Sequence, residues 1–149
     1  MQFTHQFPVN AEAGAVWDFL CDVPQMASCI PGASNVREAA PNAYDADVTA
    51  KIGPVTARFA CRVTIVDLND AERTGVVELN GKDTKLGGGV KASMQMRLES
   101  SMPTDVIITS DVDVLGKIGQ YGHGMLSRRA DAMLDDFASS VQAKLETDA

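Results

Sequence analysis

Residues that hold metals are scarce in this chain. Its two histidines, His5 and His123, stand about 118 residues apart. Its three cysteines, Cys21, Cys29 and Cys61, are odd in number and show no CxxC spacing. No metal and no cofactor is expected from such a set, and the thiols read as reduced. Positive charge is also short, since 13 Lys and Arg against 20 Asp and Glu leave a net charge of −7. That balance argues against nucleic acid as a partner, because its affinity rests on Lys and Arg contacts to phosphate. It also gives no general attraction to anionic lipid. No apolar run approaches 18 residues, so a membrane-spanning helix is not expected. Met1–Asn10 does not read as a signal peptide, and the expected location is cytoplasmic. Aromatic residues make up only 5%, while there are seven methionines. Methionine fills irregular space, which suits an ordinary core or an adaptable cavity.

What is present fits one domain spanning residues 1–149. The C-terminal run from Lys117 to about Leu145 reads as one amphipathic helix. At 1.5 Å per residue it would exceed about 40 Å and need a broad surface to lie on. The segments before it supply that surface. In Gln2–Val9, Phe3, His5, Phe7 and Val9 share one face. Asn10 reads as an N-cap, with Glu12 in the first turn. The helix that follows carries Val16, Phe19, Leu20 and Val23 on its stripe, and Trp17 falls off it, partly exposed. Asp22 and Gln25 form a capping box for a second short helix, which is expected to run to about Ile30 before Pro31–Gly32.

From Ser34 the pattern is β. A strand near Ser34–Ala39 precedes Ala43–Ile52, in which Tyr44, Ala46, Val48, Ala50 and Ile52 point inward. After the Gly53–Pro54 turn, Val55, Ala57, Phe59, Cys61, Val63 and Ile65 alternate inward. Thr74–Asn80 is a further strand, and Gly87–Gly89 reads as a bulge or bend. Val90, Ala92, Met94, Met96 and Leu98 then face in, as do Val106, Ile108, Val112 and Val114 after Pro103. Short turns between successive strands imply antiparallel pairing. The fold expected is α+β: a curved antiparallel sheet of six or seven strands wrapped around a long C-terminal helix, with two short helices after the first strand and a ligand space between sheet and helix.

Three segments together, Cys29–Ala33 (CIPGA), Lys51–Phe59 (KIGPVTARF) and Asp111–Ile118 (DVDVLGKI), carry a family resemblance over nearly the whole chain. The chain resembles the carbon monoxide dehydrogenase G-subunit family, within the START/Bet v 1-like (SRPBCC, helix-grip) superfamily. The resemblance implies a helix-grip fold and a non-catalytic accessory role beside a molybdenum-containing hydroxylase of the carbon monoxide dehydrogenase type. That role would lie in maturation, membrane recruitment or delivery of a quinone or lipid-like molecule. Some members carry a membrane-binding C-terminal extension. With the sequence ending at Ala149, none is expected here, and any membrane contact would be peripheral, at the inner face of the cell membrane.

No catalytic constellation emerges. The residues expected to line the ligand space are His5, Phe7, Ile30, Tyr44, Val48, Ile52, Phe59, Cys61, Val63, Met94, Met96, Val112, Ile118, Gly122, Met125, Leu126 and Met133. Such walls suit binding an apolar molecule, with a few polar groups to orient it. His5 is either a packed histidine or a donor to a quinone carbonyl. Tyr44 with His5 is the one polar pair on offer for the alternative reading, an enzyme like the polyketide cyclases of the same superfamily. A ligand-free assembly module is the third reading. Asp111 and Asp113, with Glu78 and Asp83, read as solvated carboxylates, Cys29 as an inert loop thiol, His123 as facing solvent, and Ser127–Arg129 as a solvated basic spot. Gly116, Gly119, Gly122 and Gly124 signal either close packing or a soft, gating helix start.

Overall fold

The computed structural model describes residues 1–83, 85 and 87–146. In chain order the elements are β1 (Gln2–Val9), α1 (Ala13–Cys21), α2 (Val23–Ala27), β2 (Ala33–Ala40), β3 (Ala43–Ile52), β4 (Val55–Asn69), β5 (Thr74–Asp83), β6 (Gly88–Glu99), β7 (Thr104–Gly116), a 3₁₀ turn (Lys117–Tyr121) and α3 (His123–Glu146). The strands form one curved antiparallel sheet in the order β1-β7-β6-β5-β4-β3-β2. β1 and β2 are therefore opposite edges, and α1 with α2 carries the chain from one edge to the other. The expected sequence of one strand, two helices, six strands and a long helix is the one observed.

The local boundaries differ in instructive places. The C-terminal helix begins at His123, not Lys117. Gly116 at φ 75° and Gly122 at φ 90° lie in a region that side chains disfavour, and they bracket the 3₁₀ turn. At 24 residues α3 spans about 36 Å. α2 stops at Ala27, three residues short of Ile30, where turn bonds Cys29 N→Met26 O and Ile30 N→Ala27 O take over. Ile30 precedes Pro31, a position biased away from helix. Its capping box is as expected: Asp22 accepts from the Gln25 backbone N–H at 3.3 Å and the Gln25 side chain at 3.0 Å.

Asn10 does not cap α1. Glu12 takes the N-cap position without a side-chain bond, and the Ala13 N–H is satisfied by Ser101 Oγ at 3.0 Å, across from the β6–β7 turn. The Asn10 N–H instead donates to Glu146 Oε2 at 2.9 Å, tying the end of β1 to the end of α3. Trp17 is buried rather than partly exposed, because its indole N–H donates to Asp70 Oδ1 at 2.8 Å while the ring joins the core. A polar tip with a partner removes the usual penalty for burying tryptophan. β2 and β5 each run longer than expected, to Ala40 and Asp83.

The apolar interior is divided. One cluster packs Phe7, Val9, Val16, Trp17, Leu20, Val106 and Ile108 against Phe137, Ala138 and Val141 of the second half of α3. The other packs Ala50, Ile52, Ala57, Phe59 and Cys61 against Ile118 of the 3₁₀ turn and Leu126 of the first half of α3. The helix thus grips the sheet at both ends.

Candidate ligand chamber

Between those clusters the sheet presents two cross-strand rows of side chains to its concave face. Directly opposed residues share a face, so register defines each row. One row runs Tyr44, Val63, Leu79, Ala92, Val112. The next runs Ile65, Val77, Met94, Ser110, Phe3. None of these residues belongs to either packed cluster. Every one except Ser110 keeps partial access to solvent although α3 lies over this face. Above them, Arg129, Ala130, Met133 and Leu134 of α3 are likewise only half-buried, whereas Leu126 and Phe137 on either side are buried. The two rows form a half-buried, mostly apolar belt between the packed clusters, the part of the concave face open to an apolar guest.

The expected lining residues divide accordingly. Val63, Met94, Val112 and Tyr44 stand in the belt. His5 lies one row further toward the first cluster, opposite Ile108. Phe7 is part of that cluster, with Ile30 and Met96 at its margin. Ile52, Phe59, Cys61, Ile118 and Leu126 are packed in the second cluster, with Val48, Met125 and Met133 at its margin. Gly122 is exposed, and a Cβ there would meet nothing within 4 Å. Leu79 and Val77 went unassigned to a face in the sequence, although the alternation of β5 carries the signal.

The polar pair does not assemble. His5 Nε2 lies 3.3 Å from Asp135 Oδ1 of α3. The Tyr44 hydroxyl lies 3.3 Å from Glu38 Oε2 at the β2 edge, and burial together with that carboxylate raises the phenol above its ordinary range. Asp111, Asp113 and Glu78 are exposed, as expected, and so is His123. Asp83 is not solvated. It is 6% exposed and accepts from the backbone N–H groups of Arg58 at 3.1 Å and Lys85 at 2.7 Å. Facing inward opposite Phe59, it satisfies donors at the end of the sheet. Cys29 is 2% exposed, and burial raises its thiol above the usual range, consistent with an inert group. Among the described residues no cluster of His, Cys, Asp and Glu could hold a metal ion.

Close packing or conformation accounts for three of the four C-terminal glycines, which lie outside α3. A Cβ on Gly116 would meet Gly88 Cα at 2.5 Å, and one on Gly119 would meet Val114 O at 2.9 Å. Gly122 supplies the positive φ. Only Gly124 sits within the helix, in its first turn.

Arg129 is the residue the sequence pattern misplaces. Arg128 is exposed, as a solvated basic spot should be, but Arg129 is half-buried. It stands one turn after Met125 and Leu126 and one turn before Met133, hence on the inward face. Its Nε is fully buried and has no hydrogen-bond partner among the described residues. An unsatisfied buried donor costs about 1–3 kcal/mol, more for a charged group.

An outer cleft of about 500 Å³ between α1, α2 and the end of α3 is separate from the belt, and its rim includes Asp18, Asp22 and Lys144.

The model of the CoxG family, the G-subunit family of carbon monoxide dehydrogenase, matches residues 6–146. The chain belongs to that family. Solved structures place this CoxG-family chain among START/Bet v 1-like folds. A conserved protein from Geobacillus kaustophilus is similar at 21% identity and a TM-score of 0.89, with 99% of this chain and 96% of that one covered. A START superfamily protein from Mycobacterium smegmatis is similar at 16% identity and 0.74, with 99% of each covered. The Zhui aromatase/cyclase from Streptomyces sp. R1128 is similar at 20% identity and 0.69, with 98% and 93% covered. At these identities the likeness concerns the fold. No curated protein matches the chain. Family and fold together support a hydrophobic-ligand-binding domain. No described helix is long and apolar enough to cross a membrane.

Proposed function

We propose that this CoxG-family protein is a non-catalytic carrier for an apolar molecule, quinone- or lipid-like, that acts beside a molybdenum-containing hydroxylase of the carbon monoxide dehydrogenase type. The observation that carries the reading is the half-buried apolar belt between the two packed clusters. Its members are aliphatic or Met and Phe side chains, with Tyr44 and Ser110 as the polar exceptions. Burying an apolar guest against such walls is favourable by roughly 25 cal/mol per Å². A ligand-free assembly module would have no use for a half-buried apolar belt on its concave face. Delivery or maturation beside the hydroxylase is a cytoplasmic task, with peripheral contact at the inner membrane face where an apolar cargo is exchanged.

The cyclase reading draws on the fold likeness to the Zhui aromatase/cyclase. It needs polar groups converging on a substrate, and His5 and Tyr44 turn to separate carboxylates. Organic extraction of freshly purified protein, with co-purification of the oxidoreductase, tests the carrier. A quinone or lipid in the extract supports it. A clean extract, together with turnover of an aromatic polyketide that Tyr44→Phe abolishes, overturns it in favour of the enzyme.

A further inference from the structure

The net charge of −7 is unevenly spread. Residues 48–60, 81–90 and 114–130 hold seven of the 13 Lys and Arg but only one of the 20 Asp and Glu, Asp83. The fold brings these three segments to one end of the molecule. A Cβ on Gly53, in the β3–β4 turn, would touch Met125 Sδ of the first turn of α3 at 2.9 Å. One on Gly116, at the start of the 3₁₀ turn, would touch Gly87 O, just before β6, at 3.0 Å. Asp83 is withdrawn from this surface, buried and accepting from the backbone N–H groups of Arg58 and Lys85. Lys51, Arg58, Lys82, Lys85 and Lys117 are all exposed and make no ion pair among the described residues. Lys82 shares its cross-strand row, on the outer face of the sheet, with Leu115, which is 49% exposed. Asp47, a half-buried carboxylate, stands two strands further along that row.

We propose that this basic end docks on an anionic lipid bilayer, its cations over the headgroups and Leu115 entering the headgroup boundary. At physiological salt, charges further than about 8 Å from a surface are largely screened. The end that touches a membrane therefore answers to its own charge and not to the −7 of the whole chain. Composition decides the kind of partner. Clustered Lys and Arg are attracted by anionic headgroups, each adding to the affinity, and an apolar neighbour gains by burial at the interface. Protein interfaces deplete Lys and favour Tyr, Trp and Arg, whereas four of these five exposed cations are Lys. Single-stranded nucleic acid needs aromatic platforms for its bases, and the Phe, Tyr and Trp of these segments are Phe59, packed in the second cluster, and Tyr121, half-buried. The inference rests on the carrier reading above for its purpose and assigns the peripheral membrane contact of that reading to a surface. End-on docking sets the 3₁₀ turn between Gly116 and Gly122 against the bilayer.

The test is co-sedimentation of the full chain with vesicles of phosphatidylcholine alone and of phosphatidylcholine carrying about 30% phosphatidylglycerol. The proposal expects the anionic vesicles to be bound about tenfold tighter or more at about 50 mM NaCl, and the preference to collapse at about 500 mM. Lys82→Glu and Lys117→Glu are each expected to lose about fivefold, and Leu115→Ser about threefold. Arg97→Glu, the same charge change near the other end of β6, should stay within about twofold. Equal binding to neutral and anionic vesicles, binding to neither, or an equal loss in Arg97→Glu overturns the proposal. Capture by soluble poly-L-glutamate as strong as by anionic vesicles, with Leu115→Ser matching the wild type, also overturns it and points to an acidic protein instead. The salt dependence is read on the wild type alone, so a variant that fails to fold leaves a decisive measurement. A negative vesicle result leaves the carrier reading standing, because the organic extract is assayed without membranes.

Discussion

A Cβ on Gly116 would lie 2.5 Å from the Cα of Gly88, its direct partner across β6 and β7, so the two strands meet backbone to backbone where the chain leaves the sheet for the 3₁₀ turn. Gly116→Ala is expected to lose about 1–3 kcal/mol from its backbone conformation alone, with the clash against Gly88 adding to it. Gly122→Ala carries only the conformational part, because a Cβ there meets nothing within 4 Å. Urea unfolding of both variants checks the order, with Gly116→Ala the less stable.

The same substitution at two alanines separates packed core from the half-buried belt. Ala57 is 1% exposed within the second cluster, while Ala92 stands in the belt. Ala57→Phe overfills its site and is expected to cost about 1–3 kcal/mol. Ala92 is only half-buried, and Ala92→Phe should shift stability by about 0.5 kcal/mol or less. Thermal melting of the pair reads the difference directly.

Trp17→Phe keeps the ring in the first cluster and removes the N–H that donates to Asp70 at 2.8 Å. Because Asp70 is exposed and can turn to water, the loss is expected near 1 kcal/mol, on the order of one ordinary hydrogen bond. A double-mutant cycle with Asp70→Ala checks that the coupling runs through this bond.

Burial, helped by the Asp47 charge, pushes the Cys61 thiol up from 9.0 to about 11. The folded state therefore holds this proton more tightly than the unfolded chain between those values. Stability contributed by the group is intact below about pH 9 and falls as pH rises toward about 11. Unfolding free energies of the wild type should decline across that window more steeply than those of Cys61→Ala. The thiol should also react slowly with iodoacetamide at about pH 8.

Strand alternation made most of the sheet legible in the sequence. Ala43–Ile52 and Gln2–Val9 emerged with their observed bounds because one face of each meets apolar neighbours and the other meets water. Helix ends were less legible, since tertiary partners decide them. Ser101 reaches Ala13 from 88 residues away, and no local signal marks that bond. Trp17 was misjudged for the same reason, its partner Asp70 lying on a distant turn. The chamber was legible as a set of inward apolar side chains but not as a place. Periodicity tells which way Val63 and Phe59 point, and both point inward. Only the three-dimensional structure shows that Phe59 is packed in the second cluster while Val63 is left half-buried outside it. Arg129 lay at helical spacing from Leu126 and Met133, so its inward placement was available. Its adjacency to Arg128 disguised it as a surface pair.

Native mass spectrometry of the purified protein mixed with dodecanoate, run alongside Ala92→Trp, tests the central claim most directly. An open belt predicts a one-to-one adduct for the wild type that disappears when indole occupies the space between Leu79 and Val112, with both proteins folded. No adduct with the wild type, or an adduct of equal strength with Ala92→Trp, would contradict it.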